Sequence, residues 1–187
     1  MLAMIVDIEK AANAGAYRSA LALALTIPDI CGQIAYPDCE NTGARYRRWF
    51  NEYVKKYYSV DHLVRSLGIK PFDAQACYKL RCAYLHSGNS KLQDVDYIQT
   101  LDFFTPNREE GYLEDKGYAS LDMDMTKASN IHFRLNIAKL CAVLCAEGRA
   151  FCSDPKYSSL VKAYDISIFD AQEELLNLEE QNGQERH

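Results

Sequence analysis

The stretch Tyr78-Lys79-Leu80-Arg81-Cys82-Ala83-Tyr84-Leu85-His86-Ser87-Gly88-Asn89 reads as the closing turns of an amphipathic helix. Residues 77, 80, 84 and 85 supply an apolar or aromatic stripe at helical spacing. Gly88 and Asn89 are residue types that tolerate the left-handed backbone with which helices commonly end. The helix therefore carries an arginine and a histidine to its end. An arginine holds a phosphate through several fixed N–H donors, and a neutral imidazole exchanges a proton near pH 7. Together Arg81 and His86 can position and cleave a phosphodiester. The bland alternative pairs Arg81 with an acid and makes His86 a cap of the helix C-terminus. Five residues amount to about 140° around an ideal helix and a rise of roughly 7.5 Å. The two side chains meet only if Arg81 swings towards the helix end, or if a second subunit completes the site.

Towards the N-terminus the pattern stays helical. Ile5, Ile8 and Ala12 precede a break at Gly15, and Ala and Leu, strong helix formers, dominate from Tyr17 to Ile27. The run 19–27 lacks a clean polar face, which predicts a helix buried on most sides at the centre of a bundle. Pro28 is expected to end or kink it, and Asp29 to cap a short helix through Cys31 and Ile34 or to pair with Arg18 or Arg81. After a turn at 37–43, Thr42 is a candidate cap for a helix with an aromatic stripe at Tyr46, Trp49, Phe50, Tyr53 and Tyr57. Residues 60–68 suggest one more short helix, and Pro71 and Phe72 the start of the helix that finishes at His86.

Beyond Lys91 the character changes. Residues 95–104 have strand-like branched and aromatic content, 106–111 carry turn residues, and 118–125 alternate with a period near two. Helical pattern resumes at about Ile131, runs towards Phe151 and is ended by Ser153-Asp154-Pro155, with a further short helix near Pro155. An acidic helical stretch near Asp170 decays into a polar end. The expected fold is mainly α: a helical bundle occupying 1–180 as one domain, with a small β-containing insertion at 91–127 and a polar tail at 181–187.

With 187 residues, 48% apolar and 25% charged, the chain can bury a proper core. No segment approaches a membrane span, and the N-terminus meets acids at once without the basic start of an export signal. A cytoplasmic protein with seven reduced cysteines is expected, the odd count precluding a complete disulfide framework within one chain. A net charge of −5 argues against a non-specific nucleic-acid coat. Its distribution is uneven: residues 45–81 carry nine Lys or Arg against three acids, and residues 92–128 carry three against nine. A basic sector thus contains the helix ending at His86.

Other chemistry finds less support. Arg47 and Arg48, beside Trp49 and Phe50, can contact phosphate while the rings stack bases; helical spacing equally makes the rings core or dimer contacts. Tyr84 can touch a substrate beside His86 or pack with its hydroxyl tied to a neighbour. Cys141 and Cys145 share a helix face, with His132 before and Cys152 after, yet they sit among Leu140, Val143 and Leu144 and read as buried thiols. Asp122 and Asp124 can share one strand face and hold a cation, or simply line a hairpin edge. His62 and His132 have no partner motif. There is no GxxxxGK[ST] loop, no GxGxxG after a strand, no HExxH helix and no nucleophile elbow.

The segment Arg81-Cys82-Ala83-Tyr84-Leu85-His86, closing a bundle helix ahead of Ser87-Gly88-Asn89, resembles the Arg-x4-His signature of the HEPN superfamily. Tyr17-Arg18-Ser19-Ala20, the run from Ile27 to Gly32, and Arg45-Tyr46 with Trp49-Phe50 are similar to uncharacterised bacterial members. The likeness spans residues 15–90, with the helix from 131 to 151 as a fourth bundle member. It implies an α-helical homodimer that cleaves RNA through the ribose 2′-OH, without a metal or cofactor. Arg81 would bind phosphate and His86 would be the catalytic histidine, paired across a dimer groove. It equally accommodates an inactive nucleic-acid-binding, protein-binding or signalling module, and a partner such as a cognate antitoxin or another protein. The residue after the arginine is often polar in active members; here it is Cys82, a poorer hydrogen-bond donor.

Overall fold

The computed structural model describes residues 1–58, 72–92, 95, 100–105, 119–123 and 131–164. The expected helices at 60–68 and near Asp170, and the tail at 181–187, lie outside them. Helix α1 (Leu2–Asn13) buries Ile5 and Ile8, and α2 (Tyr17–Ala24) buries Ala20, Leu21 and Ala24. Pro28 begins a helix instead of breaking one. Helix α3 (Ile27–Ala35) starts at the Thr26 N-cap, which places Pro28 in the first turn, where its missing N–H costs nothing. Asp29 is therefore not the cap and is left to reach another element.

Asn41, not Thr42, caps α4 (Thr42–Trp49): its Oδ1 accepts the Ala44 N–H at 2.9 Å. The aromatic stripe runs through Tyr46, Trp49 and Phe50 into the core, and then the backbone changes. A π-helical turn at Phe50–Val54 is followed by a 3-10 turn at Lys55–Tyr58. The π turn adds a residue to the repeat. Val54 and Tyr58 take the buried places, while Tyr53 and Tyr57 are only partly covered. Tyr57 and Lys56 then fasten this turn by bonding Glu147 Oε1 at 2.7 and 2.9 Å.

Helix α5 (Ala74–Ser87) is capped by Asp73, whose Oδ1 accepts the Ala76 N–H at 2.9 Å. The β excursion is present. Strands β1 (Thr100–Phe104), β2 (Ala119–Met123) and β3 (Ile131–Asn136) form a mixed sheet in the order β1-β3-β2, with β1 parallel and β2 antiparallel to β3. It runs past the expected boundary at 127, because residues 131–136 are a strand and not the start of a helix. The alternation of Ile131, Phe133 and Leu135 with His132 and Arg134 has a period of two, which suits a sheet. Asn136 then turns strand into helix by accepting the Lys139 N–H at 3.1 Å, and α6 (Ile137–Ser153) follows directly. A short α7 (Ser158–Val161) and a 3-10 turn (Lys162–Tyr164) close the described chain.

Helix α6 buries ten residues and packs against α1, α2 and α3; α4 lies on α3 and α5. Around Trp49 the rings of Tyr53 and Phe151 stack and cross at centroid distances of 5.1 and 6.4 Å. No disulfide joins the seven cysteines, and among the described residues no helix is long and apolar enough to cross a membrane.

Helices α3 and α4 approach each other closely at Gly32. A Cβ there would lie 2.9 Å from the Arg45 carbonyl oxygen, which is backbone and cannot rotate aside. Gly32→Ala is therefore expected to lower unfolding free energy by about 1–3 kcal/mol, the usual range for overpacking a tight contact. Urea titration checks this; unchanged stability would mean that the two helices separate freely.

Candidate functional site

Three elements build the site. Helix α5 presents Arg81 one and a half turns before its end, and α3 presents Asp29 from its first turn. The close contact of α3 with α4, and of α4 with α5, fixes the distance between those two helices. Arg81 Nε donates to Asp29 Oδ2 at 2.7 Å. Both side chains are mostly covered, 23% and 16% exposed.

That bond commits one edge of the guanidinium and aims the other. Arg81 Nη1 lies 3.1 Å from His86 Nε2. The arginine nitrogen always carries protons, so it is the donor, and the imidazole accepts on an unprotonated Nε2 with its proton on Nδ1. The 140° separation of an ideal helix is overcome by the length of the arginine side chain. Arg81 is thus paired with an acid and also in contact with His86. His86 itself is exposed. The capping is done by the backbone: Gly88, at φ +64°, donates to the Tyr84 carbonyl and Asn89 N–H reaches Ala83.

Burial pushes the Asp29 carboxyl above its ordinary value; the hydrogen bond and charge of Arg81, and the charge of Arg45, offset this only in part. Asp29 Oδ1 is buried and meets no donor among the described residues, which is the geometric counterpart of that penalty. For Arg81, burial works against the charged form, but the Asp29 bond and charge outweigh it and raise its value. The arginine stays cationic, and the strain of the pair falls on Asp29.

The other expected site residues are dispersed. Arg47 lies over the Tyr78 ring, 5.4 Å from its centroid, against the turn of α5 that precedes Arg81. Arg48 lies over Tyr36 at 4.1 Å, and the Tyr36 hydroxyl donates to Glu52 Oε2 at 2.6 Å, so its contacts lead away from His86. The rings of Tyr46, Trp49 and Phe50 are buried and offer no stacking platform. Tyr84 sits one turn after Arg81, half-buried, and its hydroxyl donates to the Arg18 carbonyl at 3.2 Å.

Cys141 and Cys145 are buried in α6, and burial pushes both thiols up to about 12. Among the described residues no group of three His, Cys, Asp or Glu is placed to hold a metal ion. His62 and Asp124 lie outside the described residues, as do the side chains of Asp122 and His132.

Asp29 is the neighbour of Arg81 that sequence spacing leaves ambiguous. Its position 52 residues before Arg81 gives no local signal, and only the helix packing selects Arg81 over Arg18. No family model matches the chain, and no curated protein or solved structure matches it.

Because the folded value of Asp29 is raised, ionising it costs folding free energy. Its contribution favours the fold most below the unfolded value near 3.8 and fades as pH rises through the higher folded value. Relative to Asp29→Asn, the native chain is therefore expected to lose stability as pH climbs through the window just above 3.8. Denaturant titrations at stepped pH read the difference; a gap constant across that window would show that Arg81 compensates the burial fully.

Proposed function

We propose that this protein is a metal-independent endoribonuclease of the HEPN kind, working as a homodimer through Arg81 and His86. The observation that carries the reading is the 3.1 Å contact between Arg81 Nη1 and His86 Nε2, made by an arginine already anchored on Asp29. An anion entering between the two takes charge-assisted bonds from Arg81 and releases the imidazole from its donor. His86 Nε2 then accepts the proton of the ribose 2′-OH as that oxygen bonds to phosphorus. The bond from phosphorus to the 5′-oxygen breaks, and the leaving oxygen takes a proton from the histidine of the facing subunit, which enters the step as the imidazolium, so the two histidines exchange protonation states. The products are a 2′,3′-cyclic phosphate and a 5′-hydroxyl, with no net consumption of protons. The protein supplies a fixed cation and a proton carrier, and the substrate supplies the nucleophile.

A second reading is supported by the same ion pair. An arginine satisfied within its own chain also suits a silent binding or signalling module, in which Asp29, Arg81 and His86 only lock α3 to the end of α5.

Purified protein is expected to cleave mixed single-stranded and structured RNAs in excess EDTA. Arg81→Ala and His86→Ala should each reduce the rate by about 10²–10⁴, the usual worth of a positioned proton carrier or its partner. Intact RNA across pH and salt would favour the silent module; cleavage that survives loss of His86 would remove it from the mechanism.

Light scattering at micromolar concentration is expected to give roughly twice the chain mass of 21.3 kDa. A monomer throughout that range would exclude the facing histidine as the second proton carrier.

A further inference from the structure

A cleft of about 580 Å³ opens between the start of α2, Tyr84 of α5 and the end of β1. We propose that it is a nucleotide subsite, binding the base and phosphate of an RNA residue next to the scissile linkage. The placement rests on the ribonuclease reading, whereas the binding chemistry comes from the cleft itself.

Three rings line it, Tyr17 from α2, Tyr84 from α5 and Phe103 from β1. Among the described residues Arg18 is its one charged lining residue, with no acid beside it. A site with aromatic walls and a single cation selects a planar, anionic ligand, and a nucleotide combines both properties. The lining also carries polar groups that suit a phosphate. Ser19 and Thr105 add hydroxyls, and α2 begins at Ala16 with no side chain capping its first turn. The volume lies within the range of small-ligand pockets, which run to roughly 300–1,000 Å³.

The cleft is also tied to the dyad. Tyr84 follows Arg81 by three residues, so their Cβ atoms stand about 5–6 Å apart on one side of α5. The Tyr84 hydroxyl donates to the Arg18 carbonyl, which holds the ring and the cation-bearing turn of α2 in one fixed relation. A chain with its phosphate on Arg81 thus has a ring within reach for the adjoining base.

The test uses full-length His86→Ala, so that RNA stays intact, and calorimetry with three probes: AMP and UMP, ribose 5-phosphate, and a pentaribonucleotide. Nucleoside monophosphates should bind at least tenfold tighter than ribose 5-phosphate, and the pentanucleotide tighter still by tenfold or more. On the same background, Tyr84→Leu and Arg18→Ala should each weaken mononucleotide binding about tenfold, as expected for loss of one stacked ring or one phosphate contact. Tyr84→Phe, which keeps the ring, should stay within about threefold. If Tyr84→Leu fails to fold, Phe103→Leu takes its place with the same expected loss.

Equal binding of ribose 5-phosphate and nucleotides would overturn the base subsite, as would affinity unchanged in the Leu variants. Free nucleotide binding as tightly as the pentanucleotide would overturn its assignment to RNA. The two readings fail separately. Nucleotide binding that needs Tyr84, in a protein that cuts no RNA, keeps the cleft and removes the nuclease. Cleavage that needs Arg81 and His86 but ignores Tyr84→Leu keeps the nuclease and removes the cleft.

Discussion

The bond from Arg81 Nε to Asp29 Oδ2 is the constraint on which the candidate site depends. It spans two helices that do not follow one another in the chain, and it exists because α3 sits close enough to α4, and α4 to α5, for a carboxylate and a guanidinium to meet. Gly32 supplies that closeness by having no side chain where α3 meets the Arg45 backbone. Once Nε is committed, the remaining face of the guanidinium has one direction to point, and His86 stands in it. Orientation is thereby set by packing that lies outside the dyad.

The same bond is held at a cost. Asp29 is mostly covered, with one oxygen lacking a donor among the described residues, and its raised pKa reports that burial outweighs the partner's charge. A surface ion pair would contribute little to stability and would leave the guanidinium mobile. A covered pair trades stability for a fixed arginine, which is a sensible exchange where the arginine must meet a ligand in one geometry.

Helical content was legible wherever the apolar spacing was regular and the ends carried cap residues. The stretch ending at Gly88 and the α6 stop at Ser153 follow from such local signals. Caps were harder to place than helices, because Asn41 and Thr42 are adjacent and both suit the role; the backbone geometry decides. The aromatic stripe was read in a strict α frame, and the π turn at Phe50–Val54 moved the buried places to Val54 and Tyr58. Residues 131–136 were taken for helix because an apolar helical run follows at once, although their own alternation has the sheet period. At the site, Arg81 and His86 were legible as residue types at a helix end. Their contact was not, since it depends on a side chain long enough to reverse a helical offset, and Asp29 depends on packing that spacing does not encode.

Strand β3 passes into α6 with no loop between them, only the Asn136 cap. The sheet is therefore an extension of the core helix, and β1, paired in register with β3, is referenced to the same rigid body. Phe103 stands opposite Leu135, which is fully buried, so a one-residue slip of β1 would move a partner of Leu135 as well as the rim of the cleft. Such a slip exchanges the two faces of the strand and offers Asp102 or Phe104 where Phe103 stands. Asp102 would bring a carboxylate to a rim whose one charge among the described residues is positive. The length of the uninterrupted strand–helix junction thus acts as a ruler: it determines which residue of β1, and hence which sign of charge, borders the space beside Tyr84.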